Sequence, residues 1–369
     1  MATAGSGAPK RVVVWSTGGI GSLSIVAVNE RPDLELVGVW VHSPEKVGRD
    51  AGELANGVPI GVLATDDVEA LLALEPDCVV YAASGPDRDA GAVPDYERIL
   101  AAGINVVTTT STTLINPLGY VPSHRERLEA AARKGGASIY ASGIEPGFLC
   151  DYIPLALTTA SRSVSKVHCY EIALYDDYGV KEIMIDALGF GQSLDFEPWI
   201  NLPGAIAGEF GAQVGYLADG LGVELDEVRE FYERRLTDEP IETAFGTVEP
   251  GTTGAIRFGA VGVVDGREAI VIDHITRLAR HVGPDWPIGE ADLTYRVVLE
   301  GKPNFDCWFT PTLDDPAEAG IPTMGSGAGA MLATAMRVVN AVPYVVDAEP
   351  GLLRSLEMPL TIPRHALRT

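Results

Sequence analysis

Short apolar runs alternate with amphipathic stretches over the first 142 residues of the chain. "RVVVW" (11–15), "LELVGVWVHS" (34–43), "DCVVYAAS" (77–84), "INVVTTT" (104–110) and "ASIYAS" (137–142) have the continuous apolar character of strands covered on both faces. Helical spacing fills the gaps. One helix is expected over 18–30 and another over 66–74, where Thr65 can cap it. Pro94 opens a third that Gly103 stops, and Ser123 with Glu126 forms a capping box before "RERLEAAARK", which Gly135 ends. Strands separated by helices pair in parallel through right-handed crossovers, which predicts a doubly wound sheet.

After residue 150 the rhythm changes. "SKVHCYEIALYDD" (165–177) reads as a longer strand, followed by a glycine-rich helical region and a charged helix, "LDEVREFYERRL". Then "GAIRFGAVGVVDG", "EAIVIDHITRLARHV", "DLTYRVVLEG" and "FDCWFTP" follow one another as strands, the pattern of a mostly antiparallel, open-faced sheet. The apolar helix "GAMLATAMRVVNAVPYVV" comes last. The expected organisation is α/β: a dinucleotide-binding type of domain over 1–150, an inserted α+β domain over 151–322 for substrate and dimerisation, and a helix and tail over 323–369 that pack back on the first.

Composition narrows the class. The 369 residues are 46% hydrophobic and 21% charged, as in a globular protein, with a formal net charge of −24. Nothing resembles the basic footprint that nucleic acid or an anionic membrane surface requires. The four cysteines, Cys78, Cys150, Cys169 and Cys307, have no metal-ligand or disulfide spacing, so free thiols and no metal site are expected. No apolar run looks long enough for a membrane span, and "MATAGSGAPKR" lacks the apolar core of a signal peptide, which makes the cytoplasm the expected location.

At the first strand–helix junction, "VVVWSTGGIGSLS" places Gly18, Gly19, Ile20 and Gly21 where backbone N–H groups can approach a diphosphate at a helix N-terminus. Trp15 stands where the six-position fingerprint often has an early glycine. A carboxylate closing the second strand would hold the ribose 2′-hydroxyl of NAD. Here His42, Ser43, Lys46 and Arg49 occupy that region and suit a 2′-phosphate, so NADP(H) is expected over NAD(H). Ala83 and Ser84, after the third of these strands, and Thr109 and Thr110, after the next, complete the expected cofactor cleft.

Four segments, "WSTGGIG", "VHSPEKVGRDAGEL", "SGIEPGFLCD" and "RVVNAVPYVVDAEPGL", resemble reductases with a dihydrodipicolinate reductase-type N-terminal domain. The nearest branch is that of the 2,4-diaminopentanoate dehydrogenases and native amine dehydrogenases. The resemblance runs from Arg11 to about Pro359. It implies a Rossmann domain, a nicotinamide cofactor, hydride transfer to or from a C=N or C=O carbon, and a homodimer. It also puts the last helix near the nicotinamide, with Asn340 as a partner for the carboxamide or for a backbone loop. Two departures stand out. The amine dehydrogenases carry a glutamate after the fifth strand, where this chain has "TTTSTTLINP"; and the common Asn-Pro-Gly-Phe is here Glu145-Pro146-Gly147-Phe148.

Reduction of a carbonyl or iminium needs a proton donor or a group that stabilises developing charge. Glu145, at a partly buried strand end, is the first candidate for that acid and Tyr175 the second; Thr110, Phe148 and Tyr178 are candidates for the substrate wall. His168 and His274 lie in strand patterns and read as satisfied or surface imidazoles. The phenylalanine-, tryptophan- and glycine-rich stretch "DALGFGQSLDFEPWINLPGAIAGEFG" could cover an apolar substrate or be ordinary core. The expected function is an NAD(P)H-dependent oxidoreductase acting on a small-to-medium ketone or imine. The alternatives are an amine dehydrogenase that uses Glu145 in place of the missing glutamate, and a non-catalytic NADP-binding redox sensor.

Overall fold

The computed structural model describes residues 8–84, 88–315 and 327–363. The elements in chain order begin with β1 (Lys10–Trp15), α1 (Gly19–Asn29), β2 (Leu34–Trp40), α2 (Ala51–Ala55), β3 (Ala64–Thr65), α3 (Val68–Leu72), β4 (Cys78–Tyr81), α4 (Arg88–Ala101), β5 (Asn105–Thr108), α5 (Pro122–Gly135) and β6 (Ser138–Ala141). They continue with α6 (Tyr152–Thr158), β7 (Ser163–Leu174), α7 (Ala205–Leu221), β8 (Glu227–Leu236), β9 (Ile241–Thr243), β10 (Gly246–Val248), β11 (Thr253–Val264) and β12 (Arg267–Arg277). β13 (Leu293–Lys302), β14 (Phe305–Phe309), α8 (Ala328–Val346) and β15 (Gly351–Leu353) follow. The chain divides into two units, one of Met1–Ile144, Leu313–Met324 and Met331–Thr369, the other of Glu145–Thr312 and Gly325–Ala330. The first crossing thus falls just before Glu145 rather than at 150.

The first unit holds a seven-stranded sheet in the order β15-β6-β5-β4-β1-β2-β3. Every pairing in it is parallel. Alternation assigns the faces. Val12, Val14, Val80, Val107 and Tyr140 turn toward one side, where they pack with Ile25 and Val28 of α1 and with Val338, Val339, Val342 and Val345 of α8. Burying each such valine is worth ~1.5–3 kcal/mol. α8, at 19 residues, is long and apolar enough to cross a membrane, contrary to the expectation that no run approached that length. Its valines belong to the core of this unit.

Helix ends differ from expectation in small ways. Asp67, not Thr65, caps α3, accepting from the Ala70 N–H at 3.0 Å, while the Thr65 hydroxyl accepts from the Asp67 N–H at 3.1 Å. α5 starts at Pro122 with Val121 as its cap, so Ser123 and Glu126 lie inside the helix and form no capping box. Pro94 lies inside α4 rather than opening it.

The second unit holds a six-stranded sheet in the order β14-β13-β7-β12-β11-β8. Its pairings are antiparallel except β7 with β12. The charged segment "EVREFYERRL", expected to be helical, is strand β8. Tertiary partners override its helical spacing. Glu230 accepts from the Gly204 N–H at 3.0 Å and the Ala207 N–H at 2.5 Å, capping α7. The Tyr232 hydroxyl donates to the Leu188 carbonyl at 2.8 Å, and the Arg235 guanidinium lies 4.4 Å from the Trp286 ring centroid. Charged side chains along an edge strand also block further pairing.

α7 packs on one face of this sheet. Phe210 lies 5.8 Å from Phe258 and 4.3 Å from His274, ring centre to ring centre. The opposite face carries a buried ion cluster. Asp273, fully buried, accepts from Arg257 Nε at 3.0 Å, from Arg257 Nη2 at 2.7 Å and from His168 Nε2 at 2.9 Å. Burial alone would raise its carboxyl pKa, but the hydrogen bonds from His168 and Arg257 and the guanidinium charge win and hold it below the ordinary value.

Candidate active site

The C-terminal ends of β1, β2, β4 and β5 frame a cleft in the first unit. It has a volume of about 590 Å³ and is lined by Ser16, Thr17, Gly18, Trp40, His42, Ser43, Lys46, Tyr81, Ala83, Ser84, Gly91, Ala92 and Thr110. Ligands of doubly wound sheets bind at this edge. Trp40 and Tyr81 of that lining stack on the buried Trp15 between them, at 5.1 Å and 5.7 Å, a row of rings in register across three strands.

Gly21 allows the strand and helix to come this close. A Cβ there would sit 2.2 Å from the Ser16 carbonyl oxygen, too near for any side chain. The Gly18 N–H, at the cap of α1, donates to Ser16 Oγ at 3.0 Å. Lys46 donates to Thr17 Oγ1 at 3.0 Å, which brings the ammonium back over the glycine turn. No carboxylate lines the cleft among the described residues. The residues present therefore fit a dinucleotide: a tight turn for the diphosphate, aromatic rings in the lining, and a cation where NAD-binding sites place an acid.

Of the expected cofactor residues, Gly18, His42, Ser43, Lys46, Ala83, Ser84 and Thr110 line this cleft. Gly19, Ile20 and Gly21 form the first turn of α1 behind it. Arg49 is exposed and is not among the lining residues. Thr109 is also outside the lining, its N–H donating to the Tyr81 carbonyl at 3.2 Å. Asn340 is a correction. Its side-chain oxygen accepts from Arg31 Nη1 at 2.7 Å, and Arg31 is paired with Asp33 just before β2. That is the N-terminal edge of the sheet, as the nearby ion pair of Lys10 at the start of β1 with Asp347 also indicates. An amide in an apolar helix needed a partner, and an arginine at the far edge supplies it.

The hydroxyl run after β5 is mostly wired internally. Thr108 Oγ1 and Ser111 Oγ bond the buried Tyr96 hydroxyl at 2.8 and 3.1 Å. Thr110 Oγ1 donates to the Ala83 carbonyl at 2.6 Å, stapling the loop after β4 to the loop after β5, and Thr113 bonds Asp89.

The ionisable side chains of interest lie in the second unit. Glu145, 3% exposed at its side chain, accepts from Gln213 Nε2 of α7 at 2.5 Å. His274 of β12 brings Nε2 to 3.6 Å from Glu145 Oε1, and its Nδ1 lies 3.6 Å from Glu171 Oε1 of β7. Donor atoms of Glu145, Glu171 and His274 all lie within 4.8 Å of one another. Burial pushes the Glu145 carboxyl up to about 7, with Glu171 and Asp151 adding to the rise and His274 and Gln213 opposing it. Burial would lower the His274 imidazole, but Glu145 and Glu171 outweigh it and raise the group to about 9.

Tyr175, half-buried, follows β7 and stacks on the exposed Tyr178 at 5.5 Å. Burial and the nearby Glu171 push its phenol well above the ordinary value, so it stays protonated. Phe148 is half-buried and stacks on Tyr152 at 6.0 Å. The aromatic-rich stretch divides: Phe190 and Phe210 are core, while Leu194, Trp199 and Leu202 are exposed.

Glu171, Gln213 and His274 were missed or dismissed from sequence. One signal was present. In "VHCYEIAL" Glu171 shares a face with Cys169 and Ala173, both buried, and a carboxylate on such a face requires partners. Register supplies one of them, because His274 pairs directly with Glu171 across β12 and β7.

Residues 148–367 match the model of the 2,4-diaminopentanoate dehydrogenase C-terminal domain, more than half of the chain. The chain belongs to this family. It is 40% identical over 352 residues to an amine dehydrogenase of Streptomyces virginiae, an alignment spanning 94% of this chain and 96% of the relative. A 2,4-diaminopentanoate dehydrogenase of Acetoanaerobium sticklandii is 23% identical over 266 residues, 71% of this chain and 68% of that one. The structure of an amine dehydrogenase from Mycobacterium smegmatis superposes with a TM-score of 0.73 at 20% identity, covering 96% of this chain and 97% of the other, which shows the shared fold. The resemblance read from the four segments holds, and the chain is an NAD(P)-dependent oxidoreductase with a Rossmann-type dinucleotide-binding unit.

Proposed function

We propose that this oxidoreductase is an amine dehydrogenase. It would interconvert a small-to-medium, mostly apolar ketone plus ammonia with the primary amine, prefer NADP(H), and use Glu145 as the proton-transferring carboxyl. The observation that carries the reading is the buried Glu145 carboxyl, held near neutrality beside Gln213 and His274 in a chain whose segment after β5 has no acid. The similarity to the Streptomyces virginiae amine dehydrogenase supports it.

Bound nicotinamide supplies the hydride donor or acceptor. Lys46, His42 and Ser43 would hold a 2′-phosphate, and the glycine turn the diphosphate. Glu145, titrating close to the working pH, takes the proton whose loss turns ammonium into nucleophilic ammonia. It returns that proton to the hydroxyl leaving the carbinolamine as water, so the carboxylate is regenerated. Gln213, by donating to the same carboxylate, fixes its orientation. Tyr175, protonated throughout this range, is available as a hydrogen-bond donor to an oxygen. A homodimer is part of the same proposal on resemblance alone, and light scattering tests it.

The test is NADPH oxidation over a panel of ketones with and without ammonium. Turnover that requires ammonium and falls by at least ~100-fold in Glu145→Gln is the expected result. Ketone reduction independent of ammonium would replace the reading with a ketone reductase. Tight NADPH binding without turnover on any member would favour the redox-sensor alternative.

A further inference from the structure

His274 stands between two carboxylates with one ring nitrogen facing each, Nε2 toward Glu145 and Nδ1 toward Glu171, both at 3.6 Å. At 3.6 Å both contacts are ion-pair distances rather than hydrogen bonds, and two carboxylates that close to one imidazole favour its charged form. Two aromatic rings also pack against the imidazole, Phe210 at 4.3 Å and tilted by 43°, and Phe258 at 5.2 Å and nearly parallel at 15°. Such faces favour a cation. The imidazole is 6% exposed and Glu145 is 3% exposed, so water screens neither. Among the described residues, no lysine or arginine is among the largest influences on Glu145.

From this geometry we infer that His274 is a positioning residue held as an imidazolium between Glu145 and Glu171, and that this charged triad sets the protonation of Glu145 for proton transfer. The inference rests on the amine dehydrogenase reading for its catalytic consequence but not for its structural content. A positive ring between two negative groups supplies the charge that a metal ion would otherwise supply in such a cluster. With all three ionised the triad keeps one excess negative charge, which matches an arriving ammonium or iminium. The titratable neighbours with the largest influence are few. Glu145 feels His274 from β12, Glu171 from β7 and Asp151 from the start of α6; Cys150 and Tyr295 lie close enough to feel Glu145, as does Tyr175 after β7. His274 feels Glu145, Glu171 and its strand neighbour Asp273.

The two neighbours push Glu145 in opposite directions, so their removal has opposite signatures. Oxidative deamination needs the Glu145 carboxylate, and its rate rises as pH passes upward through the Glu145 titration. His274→Gln removes the favourable charge, and the acid limb moves to higher pH by at least about one unit. Glu171→Gln removes the unfavourable one, and the limb moves to lower pH. A merely structural role would lower melting temperature and kcat without moving the limbs apart; limbs unmoved, or moved the same way, overturn the inference.

A second measurement needs no turnover. In protein labelled with ¹³Cε1-histidine, the His274 signal, assigned by its loss in His274→Gln or by its shift in Glu171→Gln, is expected to stay in the imidazolium position through neutrality and titrate near pH 9. Titration below about 7 overturns the inference even if amination is confirmed. Failure of ammonium-dependent turnover with the NMR result intact would sink the functional reading and leave the charged triad standing.

Discussion

Lys46→Ala tests the cofactor assignment most sharply. Lys46 is the one lysine or arginine lining the dinucleotide cleft among the described residues, and no carboxylate there competes for it. Its ammonium already lies 3.0 Å from Thr17 Oγ1, half-buried, so little further ordering is needed for it to meet a phosphate. A charge-assisted hydrogen bond contributes about 1.5–3 kcal/mol. Taking ~2 kcal/mol, the NADPH Kd should rise roughly 30-fold in Lys46→Ala. NADH lacks the 2′-phosphate, so its Kd should change by less than about 3-fold. Titration of each cofactor by fluorescence transfer from tryptophan, with Trp40 on the cleft wall as a donor, reads both constants. Salt gives a second axis, since the NADPH penalty should shrink as ionic strength rises. Equal weakening of both cofactors would assign Lys46 to the shared diphosphate beside the glycine turn, and no weakening of either would remove it from cofactor binding; both refute a 2′-phosphate contact.

Gly21→Ala places a methyl 2.2 Å from the Ser16 carbonyl, so the turn must move, and NADPH affinity should fall by at least ~10-fold; wild-type affinity would show that the turn does not shape the site. Asp273→Asn leaves Arg257 and His168 facing an amide in a fully buried position, and should cost about 3–5 kcal/mol, or roughly 6–20 °C in the melting temperature of this unit. Because the folded carboxyl lies below its ordinary pKa, this contribution is complete above about pH 4 and is lost as pH falls through the folded value; the variant's deficit in thermal melts should therefore narrow in acid, and a deficit that grows there would refute the assignment.

The parts legible in sequence were those governed by short-range rules. Buried parallel strands announce themselves by continuous apolar runs, and Gly18 and Gly21 by their place after the first of them, so the first unit was readable almost strand by strand. β8 was not, because "EVREFYERRL" satisfies both periods, and its state is decided by remote partners: the exposed N-terminus of α7 for Glu230 and the Trp286 ring for Arg235. Asn340 was misplaced for a related reason. Its need for a partner was visible, but that Arg31 meets it at the N-terminal edge depends on how α8 lies on the sheet.

The triad was hidden more deeply, since it is made by register. Shifting β12 against β7 by one residue would pair Glu171 with Asp273 or Ile275 and turn His274 to the opposite face from Glu171. The sequence presents a histidine and a glutamate in separate strands, each with an ordinary explanation, and only the pairing makes them neighbours. The hydroxyl run "TTTSTTLINP" is the converse case. It looks like chemistry in sequence, yet Thr108, Ser111 and Thr113 bond Tyr96 or Asp89, and Thr110 bonds the Ala83 carbonyl. Hydroxyls committed to such bonds orient loops and cannot carry a proton through a catalytic cycle near neutral pH, because their pKa is far too high. A carboxyl buried enough to titrate near 7 can, and Glu145 is placed at about that value. On the proposed reading, the absence of an acid after β5 does not weigh against proton-coupled hydride transfer; the requirement falls on Glu145, whose carboxyl His274 and Glu171 push in opposite directions.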